Sequence, residues 1–374
     1  MERVDVTVVG AGVVGLAVAS AAADGRRSVL VLERHGSFGR ETSSRNSEVV
    51  HASIYYAPDS LKGRLCLRGN ELMYDLCRRH GIPCANMGKL IVAVDEAQEA
   101  RLPGLLALAR GNGAAGVRLV GRREILALEP KVEARAAMHC PSSGVVDSHA
   151  LMRHFAASAS AAGASLVYNA EVTSAEKTAD GFALGVRDAD GEPFTFGTRV
   201  LVNCAGHGAP DVAAMAGVDI DAAGYRYRWR KGMYFRVSRH VDRLPRMLIY
   251  PVPAEDAAVG IHTCPDLGGG MRLGPLDVWV DRPDYTVDPN LRDFFFDSAR
   301  PFLPGLERDD LTPDQAGVHP KIYGPGEPSR DFVIRHEADR GLPGLIDLIG
   351  IESPGLTSSP AIGERVAEMV RGIL

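Results

Sequence analysis

Three glycines and one acidic residue near the start of the chain have the types and spacing that bind a dinucleotide. Gly10, Gly12 and Gly15 form the pattern G-x-G-x-x-G, and Glu33 follows eighteen residues after the last glycine. The first glycine permits a tight turn, the second lets the backbone approach a pyrophosphate, and the third lets a helix pack closely on a strand. The carboxylate can accept hydrogen bonds from ribose hydroxyls. The pattern predicts a site for an adenine dinucleotide, with NAD and FAD both open at this point.

The glycines need a strand before them and a helix after them. Residues 4–9 predict a buried parallel strand, residues 16–23 a helix, and residues 29–32 a second strand that ends at Glu33. The start of such a helix presents free N–H groups and a positive dipole end to phosphates. Residues 6–23 contain no charged residue, so a membrane span or a signal peptide is the alternative. The glycine spacing and the lack of a net positive N-terminus argue against that alternative.

Composition indicates an ordinary globular protein with room for two domains. The chain has 374 residues, of which 45% are apolar and 24% charged, and its net charge of −5 argues against a nucleic-acid partner. Its six cysteines lack C-x-x-C or metal-ligand spacing, which predicts reduced thiols in the cytoplasm and no metal site. Outside residues 6–23 no segment approaches transmembrane length, so no integral membrane segment is expected.

The order of the predicted elements indicates two interleaved domains. Residues 1–80, 144–210 and 340–374 carry strands and helices suited to nucleotide binding, whereas residues 81–143 and 211–339 are rich in short strands between turns. The predicted fold class is α/β (α+β with two domains), with a Rossmann-like FAD-binding domain interleaved with a mostly antiparallel β-sheet domain for substrate. Interleaving favours a flavin, because NAD dehydrogenases more often have a contiguous dinucleotide domain.

Individual elements follow from hydrophobic periodicity and turn residues. The predicted helices are 60–80, 95–112, 148–162 and 359–370, and the predicted strands are 88–94, 199–203, 225–237, 247–251, 259–263, 271–273, 278–280 and 345–349.

Two further polar segments could contact a cofactor. Within residues 42–56, hydroxyls and amides come first and suit a pyrophosphate and the edge of a flavin. His51 and Tyr55 come after them on an apolar stretch of the same segment. Residues 350–363 form a Gly/Pro-broken loop that enters the last helix, where free N–H groups would stabilise negative charge on a reduced flavin. The alternatives are a capped helix with His51 in the core, and an ordinary helix start.

Short motifs over nearly the whole chain occur in the order typical of one flavoprotein family. They lie at residues 46–56, 88–93, 140–141, 144–147, 203–206, 249–253, 260–262, 273–275, 316–318, 331–334 and 353–363. Together they resemble the FAD-dependent D-amino-acid-oxidase-like superfamily, and more closely its L-2-hydroxyglutarate dehydrogenase group. The resemblance implies FAD in an extended conformation and oxidation of an α-hydroxy acid by hydride transfer to flavin N5.

The motifs and the resemblance together predict the residues that bind FAD, and no residue is assigned to a metal. The predicted FAD contacts are Gly10, Gly12, Val13, Val14, Gly15, Glu33, Arg34, Thr42, Ser43, Ser44, Asn46, Ser47, Val172, Ala205, Gly206, Gly355, Leu356, Thr357 and Ser358.

The chemistry also needs a base for the hydroxyl proton and groups that hold the substrate. His51 is the predicted catalytic base, because an unperturbed imidazole has a pKa of about 6.5. Tyr55, Tyr250 and His262 are predicted substrate contacts, with packing inside the sheet as the alternative for each. Lys231 is predicted to bind the substrate carboxylate, since it occupies the family position that faces the pocket.

Two departures from the family pattern concern substrate choice. Ala52-Ser53 replaces the usual Ser-Gly, so Ser53 is expected to narrow or repolarise the pocket. Lys231-Gly232-Met233 replaces Arg-Gly followed by an acid, and lysine cannot replace arginine in bidentate carboxylate recognition.

The predicted function is an FAD-dependent dehydrogenase or oxidase for a small 2-hydroxy acid similar to L-2-hydroxyglutarate. An amine or amino-acid oxidase and a non-catalytic flavin-binding subunit stay open as alternatives. The expected partners are a small-molecule substrate and an electron acceptor, which is oxygen, a quinone or a protein. A quinone acceptor would add peripheral membrane contact to the predicted cytoplasmic location.

Overall fold

The computed structural model describes residues 2–253 and 260–374. The strands are β1 (Arg3–Val9), β2 (Val29–Glu33), β3 (Val49–Val50), β4 (Cys84–Ala85), β5 (Lys89–Ala93), β6 (Arg118–Gly121), β7 (Ala136–Cys140), β8 (Gly144–Val146), β9 (Ser165–Tyr168), β10 (Glu171–Thr178), β11 (Gly181–Arg187), β12 (Pro193–Asn203), β13 (Arg228–Val237), β14 (Leu248–Pro251), β15 (His262–Pro265), β16 (Met271–Val280), β17 (Leu311–Lys321), β18 (Val333–His336) and β19 (Leu345–Ile349). The α-helices are α1 (Val13–Ala22), α2 (Leu61–His80), α3 (Glu96–Gly111), α4 (Arg122–Leu128), α5 (Ser148–Ala161), α6 (Ala209–Met215), α7 (Arg292–Ala299) and α8 (Gly355–Ile373).

The chain divides into two compact units, and each is made of separate segments. Unit 1 consists of Met1–Ser44, Ser148–Arg228 and Pro320–Leu374, and unit 2 consists of Arg45–Asp147 and Trp229–His319. The extents differ from the predicted domains. Residues 45–80 and 144–147 belong to unit 2, whereas residues 211–228 and 320–339 belong to unit 1. The apolar stripe of a helix such as α2 shows that one face is buried, but it does not show which core receives that face.

Unit 1 is built on an eight-stranded mixed sheet with a parallel centre. The parallel strands lie in the order β9, β2, β1, β12, β19. The antiparallel pair β10–β11 continues beside β12, and β18 runs antiparallel to β19. Helices α5 and α8 both pack on α1, and a Cβ on Gly363 would lie 2.7 Å from the Ala17 carbonyl oxygen. The predicted Rossmann-like arrangement is confirmed.

The uncharged stretch at residues 6–23 is part of this core. It contains the buried end of β1, the glycine turn and the ten-residue helix α1, which is buried around most of its surface. In the part of the chain that the structure describes, no helix is long and apolar enough to cross a membrane.

In its described residues, unit 2 contains two four-stranded sheets and one three-stranded sheet. Their strand orders are β14-β5-β7-β6, β15-β16-β13-β17 and β3-β8-β4. Pairing is mostly antiparallel, as predicted, but β14 pairs with β5 in parallel. Strand β5 is buried on both faces: Leu90 and Val92 join one apolar core, and Ile91 and Ala93 join another. This alternation puts Lys89 on the same face as Ile91.

Most of the predicted elements occur, and the differences have local causes. Residues 271–280 form one strand rather than two, and residue 259 of the predicted strand 259–263 lies outside the described residues. Helix α8 begins at Gly355, four residues before the predicted start. Pro360 has no N–H to donate inside this helix, and Ser359 Oγ instead donates to the Leu356 carbonyl at 2.9 Å.

Candidate active site

The glycine turn between β1 and α1 is packed so closely that side chains would not fit. Gly10 has φ +101°, and a Cβ there would lie 2.5 Å from the Cys204 carbonyl oxygen. A Cβ on Gly15 would lie 2.0 Å from the Gly10 carbonyl oxygen, so the turn and the first turn of α1 are in direct contact. The N-terminus of α1 therefore stays close to the carboxyl end of β1, which is the geometry that receives a pyrophosphate.

A cleft opens at this end of the parallel strands in unit 1. It encloses about 870 Å³, with its open mouth included. The predicted cofactor residues that line it are Gly10, Gly12, Glu33, Arg34, Thr42, Ser43, Val172, Ala205 and Gly206. Other lining residues were not predicted, among them His35, Glu41, Glu171 and Asp211. They come from loops, from the start of β10 and from α6, where no glycine spacing indicated them.

Three charged residues of the cleft have partners within unit 1: Glu33, Arg34 and Glu41. Glu33 Oε2 accepts from the Ala11 N–H at 2.8 Å, and Oε1 accepts from the His35 N–H at 2.9 Å. Arg34 forms an ion pair with Glu41. Burial raises the pKa of Glu41, but hydrogen bonds from Arg34 and His35 outweigh it and lower the pKa overall. Glu33 is thus held at the end of β2, where a ribose would lie.

The segment after β2 contributes hydroxyl groups to the same cleft. Ser43 Oγ accepts from the Val13 N–H at 3.0 Å, at the first turn of α1. Thr42 Oγ1 lies 3.0 Å from His207 Nε2, and Ser44 Oγ donates to the Gly39 carbonyl. Val13 and Val14 form the start of α1, and Val13 is buried.

The residues at the start of α8 also fit a bound cofactor. Gly355, Leu356, Thr357 and Ser358 form its first turn, and the hydroxyl of the buried Ser358 has no hydrogen-bond partner among the described residues. An unpaired hydroxyl at a helix N-terminus is suited to a polar or anionic ligand. Together with the glycine turn, this makes unit 1 suited to a phosphate-bearing cofactor, and the role of these residues as FAD contacts remains a prediction.

Asn46 and Ser47 lie in unit 2 rather than with the other predicted cofactor residues. Asn46 Oδ1 accepts from the Glu48 N–H at 2.8 Å, and its carbonyl accepts from Gln315 Nε2 at 2.9 Å. Ser47 forms a side-chain hydrogen bond with Tyr234. Their role as FAD contacts remains a prediction.

Unit 2 brings together several of the predicted catalytic and substrate residues in a group we call the His51 cluster: His51, Tyr55, Lys89, Tyr250 and His262. The backbone carbonyl of His51 accepts from Asn70 Nδ2 at 2.9 Å, which fixes the segment to α2. Burial, followed by the positive charge of Lys89, lowers the pKa of His51 well below 6.5. The imidazole is therefore neutral at pH 7 and can accept a proton.

Two aromatic rings of the cluster are stacked. The Tyr250 and His262 ring centroids lie 3.6 Å apart, with 11° between the planes. His262 Nδ1 lies 3.1 Å from the Thr263 carbonyl oxygen, so the neutral ring carries its proton on Nδ1 and leaves Nε2 as an acceptor. Burial lowers the pKa of His262 to about 3.

The tyrosine hydroxyls of the cluster have no partners in the part of the chain described. Tyr55 Oη and Tyr250 Oη are buried without a hydrogen bond. Burial raises the pKa of both hydroxyls well above 10, so they remain protonated donors. Buried hydroxyls that lack partners are available to a ligand.

Lys89 is a member of the cluster that sequence reasoning missed. Its side chain is fully buried, and Nζ lies 3.8 Å from the centroid of the Tyr250 ring. The residue belongs to the motif at 88–93, but a lysine inside an apolar strand gave no sign of its position. The contact between Lys89 and Tyr250 depends on the parallel pairing of β5 with β14, which brings together segments distant in sequence.

Lys231, the predicted carboxylate ligand, already has partners inside unit 2. Its ammonium forms an ion pair with Asp284 and donates to Thr286 Oγ1 at 3.2 Å. The hydrogen bond from Lys231 lowers the pKa of Asp284 to about 2. The positive charge of Lys231 is thus matched by a negative charge, and its role in binding substrate remains a prediction.

Ser53 has a different place from the one expected. Its side chain is buried against α2, where Oγ donates to the Gly63 carbonyl at 2.9 Å, and its backbone has φ +58°. The glycine usual at this position is explained by the left-handed backbone, which glycine adopts without steric cost. Ser53 does not direct its hydroxyl toward the aromatic rings of the cluster.

Three side chains of metal-ligand type also lie together in unit 2. They are His240, Glu307 and Asp310, whose ligand atoms are within 4.8 Å of one another. Each is engaged by protein groups: His240 Nδ1 lies 2.9 Å from Asp310, Glu307 pairs with Arg243, and Glu307 and Asp310 form a reciprocal helix cap. These contacts account for the cluster as part of a short helical turn.

Comparison with known proteins identifies the class to which this fold and cleft belong. A family model described as DAO, FAD dependent oxidoreductase, matches residues 5–369. The chain therefore belongs to the FAD-dependent oxidoreductase family, and it is an enzyme whose cofactor is FAD. The choice between NAD and FAD that the glycine pattern left open is settled, and the family resemblance of the motifs is confirmed.

Individual relatives act on substrates with a CH–OH group. The chain is 36% identical to the mitochondrial L-2-hydroxyglutarate dehydrogenase of Arabidopsis thaliana, over 98% of this chain and 83% of that protein. It is 26% identical to a glycerol 3-phosphate dehydrogenase of Caloramator mitchellensis, over 99% of this chain and 74% of that protein. The reduced, FAD-bound L-α-glycerophosphate oxidase of Mycoplasma pneumoniae superimposes with a TM-score of 0.87 at 26% identity, covering 100% of this chain and 95% of that one.

Proposed function

We propose that this enzyme oxidises a small 2-hydroxy acid, similar to L-2-hydroxyglutarate, to the corresponding 2-oxo acid. The observation that carries the proposal is the His51 cluster, which combines neutral imidazoles, protonated tyrosine hydroxyls and one buried ammonium. The similarity to an L-2-hydroxyglutarate dehydrogenase supports this choice of substrate. The similarity to enzymes of glycerol phosphate makes that compound the main comparison substrate.

In the proposed reaction His51 accepts the proton of the substrate's α-hydroxyl. The α-C–H bond breaks with its electron pair, and the C–O bond becomes a carbonyl. FAD, when bound, supplies the hydride acceptor at N5 of its flavin ring. A base contributes about 10²–10⁴-fold to such a proton transfer. Because the pKa of His51 lies well below 6.5, the base is unprotonated at neutral pH, and kcat/KM should decline only below pH 6.5.

The remaining residues of the cluster hold the substrate. Tyr55 and Tyr250 would donate hydrogen bonds to a carboxylate, because both hydroxyls are protonated and lack other partners among the described residues. His262 Nε2 would accept from a hydroxyl or orient it. In unit 1 the cleft residues and the start of α8 would hold FAD by the contacts described above.

The test is anaerobic mixing of the FAD-loaded enzyme with L-2-hydroxyglutarate, shorter 2-hydroxy acids, glycerol 3-phosphate and amino acids, with flavin absorbance as the readout. Bleaching by a 2-hydroxy acid is expected. Bleaching only by amino acids would contradict the proposal in favour of an amine oxidase, and bleaching only by glycerol 3-phosphate would replace the substrate. Reoxidation by air or only by a quinone analogue then identifies the acceptor.

The role of His51 is tested by His51→Asn, with His80→Asn as control, because His80 is exposed at the end of α2. We expect the rate of flavin reduction to fall about 10²–10⁴-fold in His51→Asn and to stay unchanged in the control. Flavin content should be the same in both variants. An unchanged reduction rate in His51→Asn would remove His51 from the mechanism.

The six cysteine thiols are free, which supports the cytoplasm as the location in this proposal.

A further inference from the structure

Lys89 places a positive charge in the core of unit 2, and no anion of the described residues neutralises it. The side chain is fully buried, and Nζ has no hydrogen-bond partner in the part of the chain that the structure describes. Burial lowers the pKa of Lys89 to about 8, so the amine is still largely protonated at pH 7.

The groups that act on this ammonium are neutral at physiological pH. Three thiols face it, from α2, β7 and β15: Cys66, Cys140 and Cys264. Burial raises the pKa of Cys66 and Cys264 to about 12 and that of Cys140 to about 11. None of these thiols is ionised near pH 7, so none offsets the charge of Lys89.

The other groups beside the ammonium are the rings of the cluster. Lys89 Nζ and the His262 ring lie 3.8 and 3.6 Å from the Tyr250 centroid, so they must occupy opposite faces of the Tyr250 ring. The charge of Lys89 also acts on His51 and His262, both of which are neutral. The cluster as a whole therefore carries one net positive charge.

We propose that Lys89 makes the enzyme selective for an anionic substrate, because its buried ammonium attracts a carboxylate to the His51 cluster. Lys89 also packs on the face of the Tyr250 ring opposite His262 and so keeps the two stacked rings in place. This proposal rests on the proposed function, and it identifies Lys89 as the residue that recognises the charge of the substrate. Lys89 acts through Tyr250 and through its field, so it is a positioning residue. Lys231 is less suited to this task, because Asp284 already balances its charge.

The experiment measures binding rather than turnover, on the FAD-loaded protein. The probes are 2-oxoglutarate and its neutral dimethyl ester, and binding is followed by flavin difference spectra and calorimetry. The variants are Lys89→Met, which keeps the length but removes the charge, and Lys89→Arg, which keeps the charge. Lys131→Met is the control, since the Lys131 ammonium donates to the Asp242 carbonyl at an exposed position.

We expect the wild type to prefer the anion, and Lys89→Met to bind it about 10–100-fold more weakly, as the loss of one partly screened charge predicts. Binding of the ester should change little, Lys89→Arg should restore most of the preference, and Lys131→Met should match the wild type. Equal losses for anion and ester would indicate a purely structural role and overturn the proposal. So would an unchanged preference in Lys89→Met, or a wild type without preference.

Failure of the proposed function has a different signature. If the wild type prefers the anion through Lys89 but no 2-hydroxy acid reduces its flavin, the proposed function fails while the role of Lys89 stands. If 2-hydroxy acids reduce the flavin and Lys89→Met keeps the anion preference, the role of Lys89 fails while the proposed function stands.

Discussion

The sites of the two units depend on different parts of the polypeptide, the backbone in unit 1 and the side chains in unit 2. In unit 1 the cofactor cleft depends mainly on backbone, because glycines bring the β1–α1 turn, the Cys204 carbonyl and the start of α1 into contact. In unit 2 the His51 cluster depends on side chains that come from two different sheets and from the segment after β3. A backbone site is sensitive to any added atom, whereas a side-chain site is sensitive to charge and hydrogen bonding. Substitutions in the two units should therefore have different effects.

The largest effect is expected for Gly15→Ala in unit 1. The new Cβ would lie 2.0 Å from the Gly10 carbonyl oxygen and would push α1 away from the turn. Overpacking of this kind costs about 1–3 kcal/mol or more, and we expect FAD affinity to fall at least about 100-fold, because the phosphate site itself is displaced. The measurements are flavin content after dialysis and thermal unfolding.

The matched control is Gly372→Ala, which also lies in a helix. A Cβ there meets no atom within 4 Å, so this variant should be stabilised by about 0.5–1 kcal/mol. Equal flavin loss in both variants would show that helix propensity, rather than close approach, explains the glycine.

This difference also explains what could be predicted from the sequence. The spacing of Gly10, Gly12 and Gly15 is local, and each glycine serves a backbone requirement that no other residue meets, so the cleft of unit 1 was predictable. The position of Lys89 was not, because it depends on the register of β5 against β14, and a sequence pattern does not specify which distant strands pair.

The same reasoning applies to residues whose role was predicted but whose surroundings were not. His51, Tyr55, Tyr250 and His262 were predicted from motifs, and the structure brings them into one unit. The partner of Lys231 could not be predicted, since Asp284 lies in a segment without regular secondary structure. The start of α8 was predicted too late because proline is common in the first turn of a helix, whereas Pro360 lies inside this one.

Two buried tyrosines, one in each unit, allow a direct comparison of the units. Tyr227 of unit 1 accepts from the Gly350 N–H at 3.0 Å, whereas the Tyr250 hydroxyl of unit 2 has no partner among the described residues. Tyr227→Phe should lower the free energy of unfolding by about 1–3 kcal/mol, because it leaves a buried N–H unpaired. Tyr250→Phe should leave stability unchanged or raise it by about 1 kcal/mol.

Tyr250→Phe should instead weaken the interaction between the enzyme and its substrate. We expect kcat/KM for the 2-hydroxy acid to decrease about 10-fold, which corresponds to one lost hydrogen bond. Denaturant unfolding and steady-state kinetics on both variants test this contrast. Similar destabilisation by the two substitutions would mean that the Tyr250 hydroxyl serves the fold.

Unit 1 also contains a buried side-chain network around Asp347. Asp347 is fully buried, and its Oδ1 accepts from Asn203 Nδ2 at 2.8 Å. Burial raises the pKa of Asp347 from 3.8 to about 7, with Glu337 adding to the effect. The folded protein thus holds a proton that the unfolded chain releases above about pH 4. Stability should therefore fall as the pH rises from about 4 to 7.

Asp347→Asn should remove this dependence while keeping the hydrogen bond from Asn203, since the amide oxygen of an asparagine can accept it. We expect the variant to be more stable than the wild type at pH 8, and the two to converge near pH 4. Unfolding free energies across this pH range test it, with Asp190→Asn in an exposed turn as control. A wild type whose stability rises between pH 4 and 7 more than that of the variant would contradict the assignment.

The smallest effect concerns Ser53, where backbone and side chain oppose each other within unit 2. The left-handed backbone at φ +58° favours glycine by about 1 kcal/mol, whereas the hydrogen bond from Oγ to the Gly63 carbonyl favours serine by about the same amount. Ser53→Gly should thus change stability by less than about 0.5 kcal/mol. Ser53→Ala loses the hydrogen bond and keeps the strain, so it should be about 1 kcal/mol less stable than Ser53→Gly.

Kinetics on the same pair decide whether this position affects substrate choice. Because the Ser53 side chain packs on α2, both variants should keep the KM of the wild type for the 2-hydroxy acid. If Ser53→Gly instead changed KM several-fold with no change in stability, the serine would act on the substrate directly. The departure from the family glycine would then belong with Lys89 among the residues that distinguish substrates, rather than with the backbone requirements that dominate unit 1.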